Sequence, residues 1–331
     1  MSGNIPFLLK PVAKDYLWGG SRLNDEFNKG IDVHPLAETW ECSTHPDGQS
    51  LVASGSDIGK TLGDVLQKHP EYLGSHPLQV MKGTTELPVL IKLIDAEQDM
   101  SVQVHPDDAY ALENENCLGK TEMWYVLAAR EGASIVYGFN QDMDRGRVQN
   151  VLAGGTINNY LNRVPVQRND VFLVEAGTVH AIGAGIIMAE IQESSNLTYR
   201  LYDYGRVDRN GKQRELHVEK ALQVMKMQSS AMPGQPMRVL RYQKGCAAEL
   251  LTRCKYFQVE RILLNTELYR LAAAYKTDTN SFHVLLCIEG EGCLSCEGFL
   301  LHFLKGDCIF VPAGSIPLVL RGKAQLLNVS C

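Results

Sequence analysis

A chain of 331 residues with 45% hydrophobic content can bury a sizeable core, which excludes a disordered chain and leaves room for two domains. Its formal net charge of −6, with no long Lys/Arg run, excludes the basic field that would hold nucleic acid. No run of about 18 consecutive apolar residues occurs, and the first residues have no charged region leading into a long apolar one, so neither a membrane span nor a secretory leader is expected and a cytoplasmic location is.

In chain order, short runs rich in Val, Ile and Leu, separated by Gly, Pro, Asn and Asp, predict strands over 88–94, 122–128, 134–139, 170–174, 185–192, 283–288, 308–311 and 325–329. Helices are fewer, predicted over 61–67, 106–114, 142–153 and 217–225. The second of these opens with Asp107 and Asp108, acids that favour a helix N-terminus. The chain therefore reads as mostly β, with helices decorating the sheets. Residues 229–236, Ser-Ser-Ala-Met-Pro-Gly-Gln-Pro, have the composition of a linker. They divide the chain into an expected N-terminal domain, 1–235, and a C-terminal domain, 236–331.

Nine cysteines without a leader read as free thiols. Cys293 and Cys296 form a lone CxxC, with no second pair or nearby His to complete the four ligands of a structural zinc site.

An internal match relates Asn169-Asp170-Val171-Phe172-Leu173-Val174-Glu175-Ala176-Gly177-Thr178-Val179-His180 to Gly306-Asp307-Cys308-Ile309-Phe310-Val311-Pro312-Ala313-Gly314-Ser315-Ile316-Pro317. In each copy a turn residue and Asp open a buried strand, and Ala-Gly then makes a tight turn before a small hydroxyl residue. Two copies of one unit imply two related β domains. Short strands joined in this way are the pattern of a cupin-type jelly-roll barrel, an architecture that closes around small ligands. Pro317 stands where the first copy has His180, so metal chemistry is expected in the first domain only.

Metal-ligand side chains cluster in three segments of that first domain. Side chains alternate along a strand, so in Ser101-Val102-Gln103-Val104-His105-Pro106 the residues Gln103 and His105 share one face while Val102 and Val104 take the other. With Glu122 and His180 they make two imidazoles, a carboxylate and an amide oxygen, a set suited to zinc or another divalent first-row metal with a position left open for substrate. Glu122 enters the apolar run Met123-Trp124-Tyr125-Val126-Leu127, and a buried carboxylate there requires a metal or a salt bridge with Lys120. Met123, Trp124 and Tyr125 read as wall. Arg200 lies in an alternating run with Thr198 and Tyr202 on its face, which suits either a solvated or a functional arginine.

Taken in order, Trp18-Gly19-Gly20, Glu38-Thr39-Trp40-Glu41, Pro88 to Ala96, Gly119-Lys120-Thr121-Glu122, and Gln192 to Arg200 followed by Arg214-Glu215-Leu216-His217 resemble the type I mannose-6-phosphate isomerases in their short bacterial form. The resemblance runs over nearly the whole chain. It implies one zinc per chain held by Gln103, His105, Glu122 and His180, an active-site arginine at Arg200, and a site lysine at Lys120. It further implies reversible isomerisation of mannose 6-phosphate and fructose 6-phosphate through a cis-enediol, with a phosphosugar as partner and no redox cofactor. Two departures stand out: the family often shows Ser-Asp-x-Thr-Tyr-Arg where this chain has Asn196, and a Cys where it has Met123. If the acid at the first position orients the arginine or carries a proton, activity or substrate preference differs here.

Two other functions meet part of the pattern. His105, Glu122 and His180 alone would serve an iron-dependent cupin oxygenase, against which Gln103, Lys120 and Arg200 count. A non-enzymatic sugar-binding cupin finds its support in Asn196.

Overall fold

Three antiparallel sheets carry the fold in the computed structural model, which describes residues 4–208 and 210–331. A six-stranded sheet runs in the order Val171–Val174, Glu122–Ala129, Ile186–Glu193, Val89–Ala96, Glu38–Cys42, Val12–Lys14. A five-stranded sheet runs Tyr199–Tyr202, Val102–Val104, His180–Ile182, Ser134–Phe139, Leu161–Pro165. These two face each other across Ile94, Trp124, Ile135, Phe172, Ile182 and Met188, and make the first barrel.

The third sheet has ten strands, drawn mostly from the C-terminal third of the chain, and curls around Ile262, Leu285, Ile309 and Leu326 as the second barrel. The expected boundary at 235 divides the chain in sequence, yet Phe7–Lys10 pairs with Cys308–Val311 and Leu51–Val52 pairs with Phe7–Lys10, so the N-terminal residues add two strands to this sheet. One continuous core then joins the barrels: Val89, Ile91, Met123, Tyr125, Ile187 and Ile191 on the outside of the six-stranded sheet pack against Val259, Val284, Leu286, Phe310 and Val329. That second buried face explains why the central strands read as unbroken apolar runs rather than as alternation. On the inner face the polar residues Lys92, Glu122, Glu190 and Gln192 stand beside apolar Ile94, Trp124 and Met188.

The predicted strands are all present. Two run further than their apolar cores, His283–Cys296 and Leu318–Ser330, because Gly290 takes a φ of 75° beside a register shift at Cys287/Glu289 and lets pairing continue past the glycines. The predicted helices are found at Leu62–Lys68, Asp108–Asn114, Arg145–Ala153 and Val218–Val224. Thr61, Asp107 and Asp144 cap the first three, each side chain accepting from a backbone N–H of the first turn. Arg22–Phe27 and Ser75–Val80 are short helices without side-chain caps, and so carry no start signal in the sequence. All nine cysteines are free thiols. No helix among the described residues is long and apolar enough to cross a membrane.

Candidate metal centre

Sheet register brings the predicted ligands together. In the five-stranded sheet His180 pairs directly with Gln103, and Gln103 pairs with Arg200 on its other side. Glu122 reaches the same point from the facing sheet. His105 follows the Val102–Val104 strand, and its carbonyl accepts from Gly177 N at 2.8 Å, tying together the two segments that supply the imidazoles. Gly177 holds a φ of 83°, a left-handed turn natural to glycine.

The segment carrying Lys120 and Glu122 is pinned as closely. Lys120 N donates to Pro106 O at 3.0 Å and Thr121 N to Glu193 Oε1 at 2.7 Å. A Cβ on Gly119 would stand 2.5 Å from the Asp107 carbonyl carbon and the Asp108 nitrogen, so only glycine allows this approach.

Ligating atoms of His105, Glu122 and His180 lie within 4.8 Å of one another, and all three residues are buried. The two Nε2 atoms are 3.1 Å apart, His180 Nε2 is 3.3 Å from Glu122 Oε1, and the Gln103 amide is 3.4 Å from His180 Nε2. Each imidazole makes its other contact to a backbone carbonyl, His105 Nδ1 to Leu197 O and His180 Nδ1 to Thr178 O, both at 2.8 Å. A carbonyl only accepts, so both protons sit on Nδ1 and both Nε2 atoms present bare lone pairs to each other. No hydrogen bond can form between them. Glu122 Oε1 is likewise buried without a hydrogen-bond partner. Three acceptors converging in a buried site, with the Gln103 amide able to turn its oxygen toward them, form a set that a divalent cation satisfies.

Electrostatics agree with this reading. Burial, and then the Lys120 charge, hold His180 down to about 4, and the same two causes pull His105 well below its ordinary value. Both imidazoles are thus neutral, as ligands must be. Burial pushes Glu122 up to about 7 against the pull of Lys120. The ion pair considered in the sequence is present, with Lys120 Nζ 2.6 Å from Glu122 Oε2, and the same ammonium lies 3.1 Å from His105 Nε2.

A cavity of about 240 Å³ opens beside this cluster, lined by Trp18, Gln103, Lys120, Thr198, Arg200 and Arg214 among others. Half-buried Arg200 donates through Nη1 to Glu215 O at 2.9 Å and through Nε to Ser101 Oγ at 3.3 Å, while His217 holds its backbone from both sides. Arg214 is fixed by Asp203, which also takes Arg206. Met123 packs in the core between the barrels, and Trp124 is wall: its ring meets His180 edge-on at 5.4 Å.

One element of the site carried no assigned role in the sequence. Lys92, between apolar Ile91 and Leu93 in a buried strand, lines the cavity floor 3.0 Å from Glu190 and 3.9 Å from Glu38. Trp124 Nε1 donates to Glu190 and Trp40 Nε1 to Glu38. A lysine interrupting a buried strand was the signal available.

Known proteins are similar to this chain over most of its length. The family description "Phosphomannose isomerase type I, catalytic domain" matches residues 7–131, and "Mannose-6-phosphate isomerase, cupin domain" matches residues 248–331. The mannose-6-phosphate isomerase ManA of Bacillus subtilis is 36% identical over 326 residues, covering 97% of this chain and 98% of its own length. The crystal structure of the mannose 6-phosphate isomerase from Bacillus subtilis superposes with a TM-score of 0.88 at 34% identity, covering 98% of this chain and 99% of that one. A zinc-bound mannose 6-phosphate isomerase shares the fold, with a TM-score of 0.76 at 17% identity and 98% coverage of both chains.

Proposed function

The chain belongs to the type I phosphomannose isomerases, and from that premise we propose that it interconverts mannose 6-phosphate and fructose 6-phosphate with one zinc ion held by Gln103, His105, Glu122 and His180. The observation that carries the reading is the buried meeting of two Nε2 atoms with a carboxylate oxygen that has no hydrogen-bond partner, at the inner end of a cationic cavity.

Zinc bound there would supply Lewis-acid stabilisation of the negative charge that develops on the oxygens at C1 and C2 of the open-chain sugar. The protein supplies the rest. Lys120, buried and paired with Glu122, presents its Nζ at the cavity wall, where it assists the proton moving between C2 and C1 or holds an oxygen of the substrate. Arg200 directs a guanidinium fixed by Ser101 and the Glu215 carbonyl to the developing anion or to the phosphate. The Lys92–Glu190 and Lys92–Glu38 pairs make the floor polar and rigid, which preorganises the cavity for hydroxyl groups.

The test is a coupled assay for fructose 6-phosphate formed from mannose 6-phosphate, together with metal analysis of the purified protein. Turnover that is lost on chelation and restored by zinc, at about one ion per chain, is the expected result. Full turnover in protein stripped of metal would overturn the reading.

A further inference from the structure

The internal repeat makes the two barrels comparable position by position. Val174 and Val311 stand at matching places in the repeated strands, and Val174 pairs with Glu122 in the first barrel as Val311 pairs with His283 in the second. One strand over, Glu190 lies opposite Trp124 and Lys92, while Asn328 lies opposite Leu285 and Glu260. His283, Asn328 and Glu260 therefore hold the inward positions that Glu122, Glu190 and Lys92 hold in the first barrel. Pro317 in the place of His180 leaves this set without a second imidazole, so it is not a copy of the metal centre.

Polar side chains have nonetheless been kept inside an otherwise apolar barrel. Tyr275 and Asn328 are more than nine-tenths buried. Tyr275 Oη donates to Asn328 Oδ1 at 3.0 Å, and His283 Nδ1 donates to the same oxygen at 2.9 Å. Both hydrogen bonds of Asn328 use its oxygen, so its amide N–H groups are left to the cavity, and the proton on Nδ1 leaves His283 Nε2 as an acceptor beside them. A barrel that needed only to fold would fill this space with aliphatic side chains, as it does around Leu285 and Leu326. Instead a cavity of about 400 Å³ opens over the trio, within the range of roughly 300–1,000 Å³ usual for small-molecule pockets. Its walls are apolar at Ile262 and Leu320, and exposed Arg241 and Lys276 stand at its rim, Arg241 paired with Glu260, whose carboxylate also lines the cavity.

Donors and acceptors alternating on a buried floor suit hydroxyl groups, each of which both gives and takes a hydrogen bond; cations at the rim suit an anionic group carried on the same molecule. We propose that the second barrel is a binding site for a monosaccharide phosphate, with Tyr275, His283, Asn328 and the Arg241-paired Glu260 taking its hydroxyls and Lys276 taking its phosphate. This site is separate from the metal centre and does not depend on its chemistry.

Equilibrium dialysis of the zinc-loaded protein against an equilibrated, radiolabelled mixture of mannose 6-phosphate and fructose 6-phosphate tests it. About two equivalents bound per chain are expected. Asn328→Leu should lose one equivalent while the coupled isomerase assay stays at the level of the unmodified protein. Lys276→Ala, a change at an exposed rim position that leaves the barrel core intact, should weaken the second class of site about tenfold, and it decides the matter if Asn328→Leu does not fold. Unphosphorylated mannose should compete weakly for the second class. A single class of site in the unmodified protein, a second class indifferent to Lys276→Ala, or inorganic phosphate competing as well as the sugar phosphate would each overturn the proposal.

Discussion

Asn196 donates from its side-chain amide to the carboxylate of Asp47 at 2.8 Å, across the mouth of the cavity beside the metal centre. The amide that departs from the family pattern is therefore partnered with an acid from a distant segment, and the mouth keeps a carboxylate one contact further out. The backbone carbonyl of Asp47 accepts from Lys14 Nζ at 2.6 Å, which helps hold that segment in place.

Asn196→Asp on its own sets two carboxylates against each other and should lower both thermal stability and turnover. Pairing it with Asp47→Asn restores a donor and an acceptor in reversed order. A double-mutant cycle should return a favourable coupling of roughly 0.5 kcal/mol or more in stability and recover most of the lost turnover. Additive losses would show that the contact has no role.

Because the two Nε2 atoms and Glu122 Oε1 converge on one point and Glu122 Oε1 has no hydrogen-bond partner, removing one ligand should empty the centre rather than weaken it slightly. His180→Ala is expected to lose more metal affinity than the roughly 10–100-fold that outer partners of a ligand typically cost, and to lose turnover with it. Metal content by elemental analysis, measured beside the coupled assay, checks this. Bound metal and activity that both survive the change would refute the ligand assignment.

Arg200→Lys keeps a positive charge but cannot reproduce a planar guanidinium that reaches Ser101 Oγ and Glu215 O together. Turnover should fall by about tenfold or more, with zinc content unchanged. Equal kinetics for the two proteins would reduce Arg200 to a surface charge.

Glu193, which holds the segment bearing Glu122 through Thr121 N, offers a pH effect on stability. Burial, followed by the negative charge of Asp108, raises its carboxyl to about 8, while hydrogen bonds, the one from Glu193 foremost, take Asp108 below its ordinary value despite burial. A carboxyl raised in the folded state contributes stability that is full below its unfolded value of about 4.3 and is lost as pH climbs through the folded value. Chemical denaturation should therefore show stability declining between about pH 4.5 and pH 8 by an amount on the order of a few kcal/mol. Glu193→Gln keeps an oxygen for Thr121 N and should flatten that slope. An unchanged slope in the variant would assign the pH dependence to other groups.

Local rules explain how much of this was legible. The strand periods, the capping residues Thr61, Asp107 and Asp144, and the Ala-Gly turn repeated in both barrels all depend on neighbours close in the chain, so they can be read from it. Gln103 and His105 share a face by period alone. Lys92 could be seen as an anomaly but not as a member of the site, because its partners Glu190 and Glu38 lie on other strands and only sheet pairing makes them neighbours.

By itself, then, the sequence determined a mostly β chain built from a duplicated unit, with its candidate metal-ligating residues in the first domain. Tertiary structure alone decided that Phe7–Lys10 completes the second barrel, that the barrels share one core, that Asp47 answers Asn196, and that His283 and Asn328 repeat the positions of Glu122 and Glu190. The reason is one of range: strand period and helix capping act between residues a few positions apart, whereas pairing register and the meeting of buried polar groups are settled by contacts between segments far apart in the chain, and they exist only once the sheets have closed.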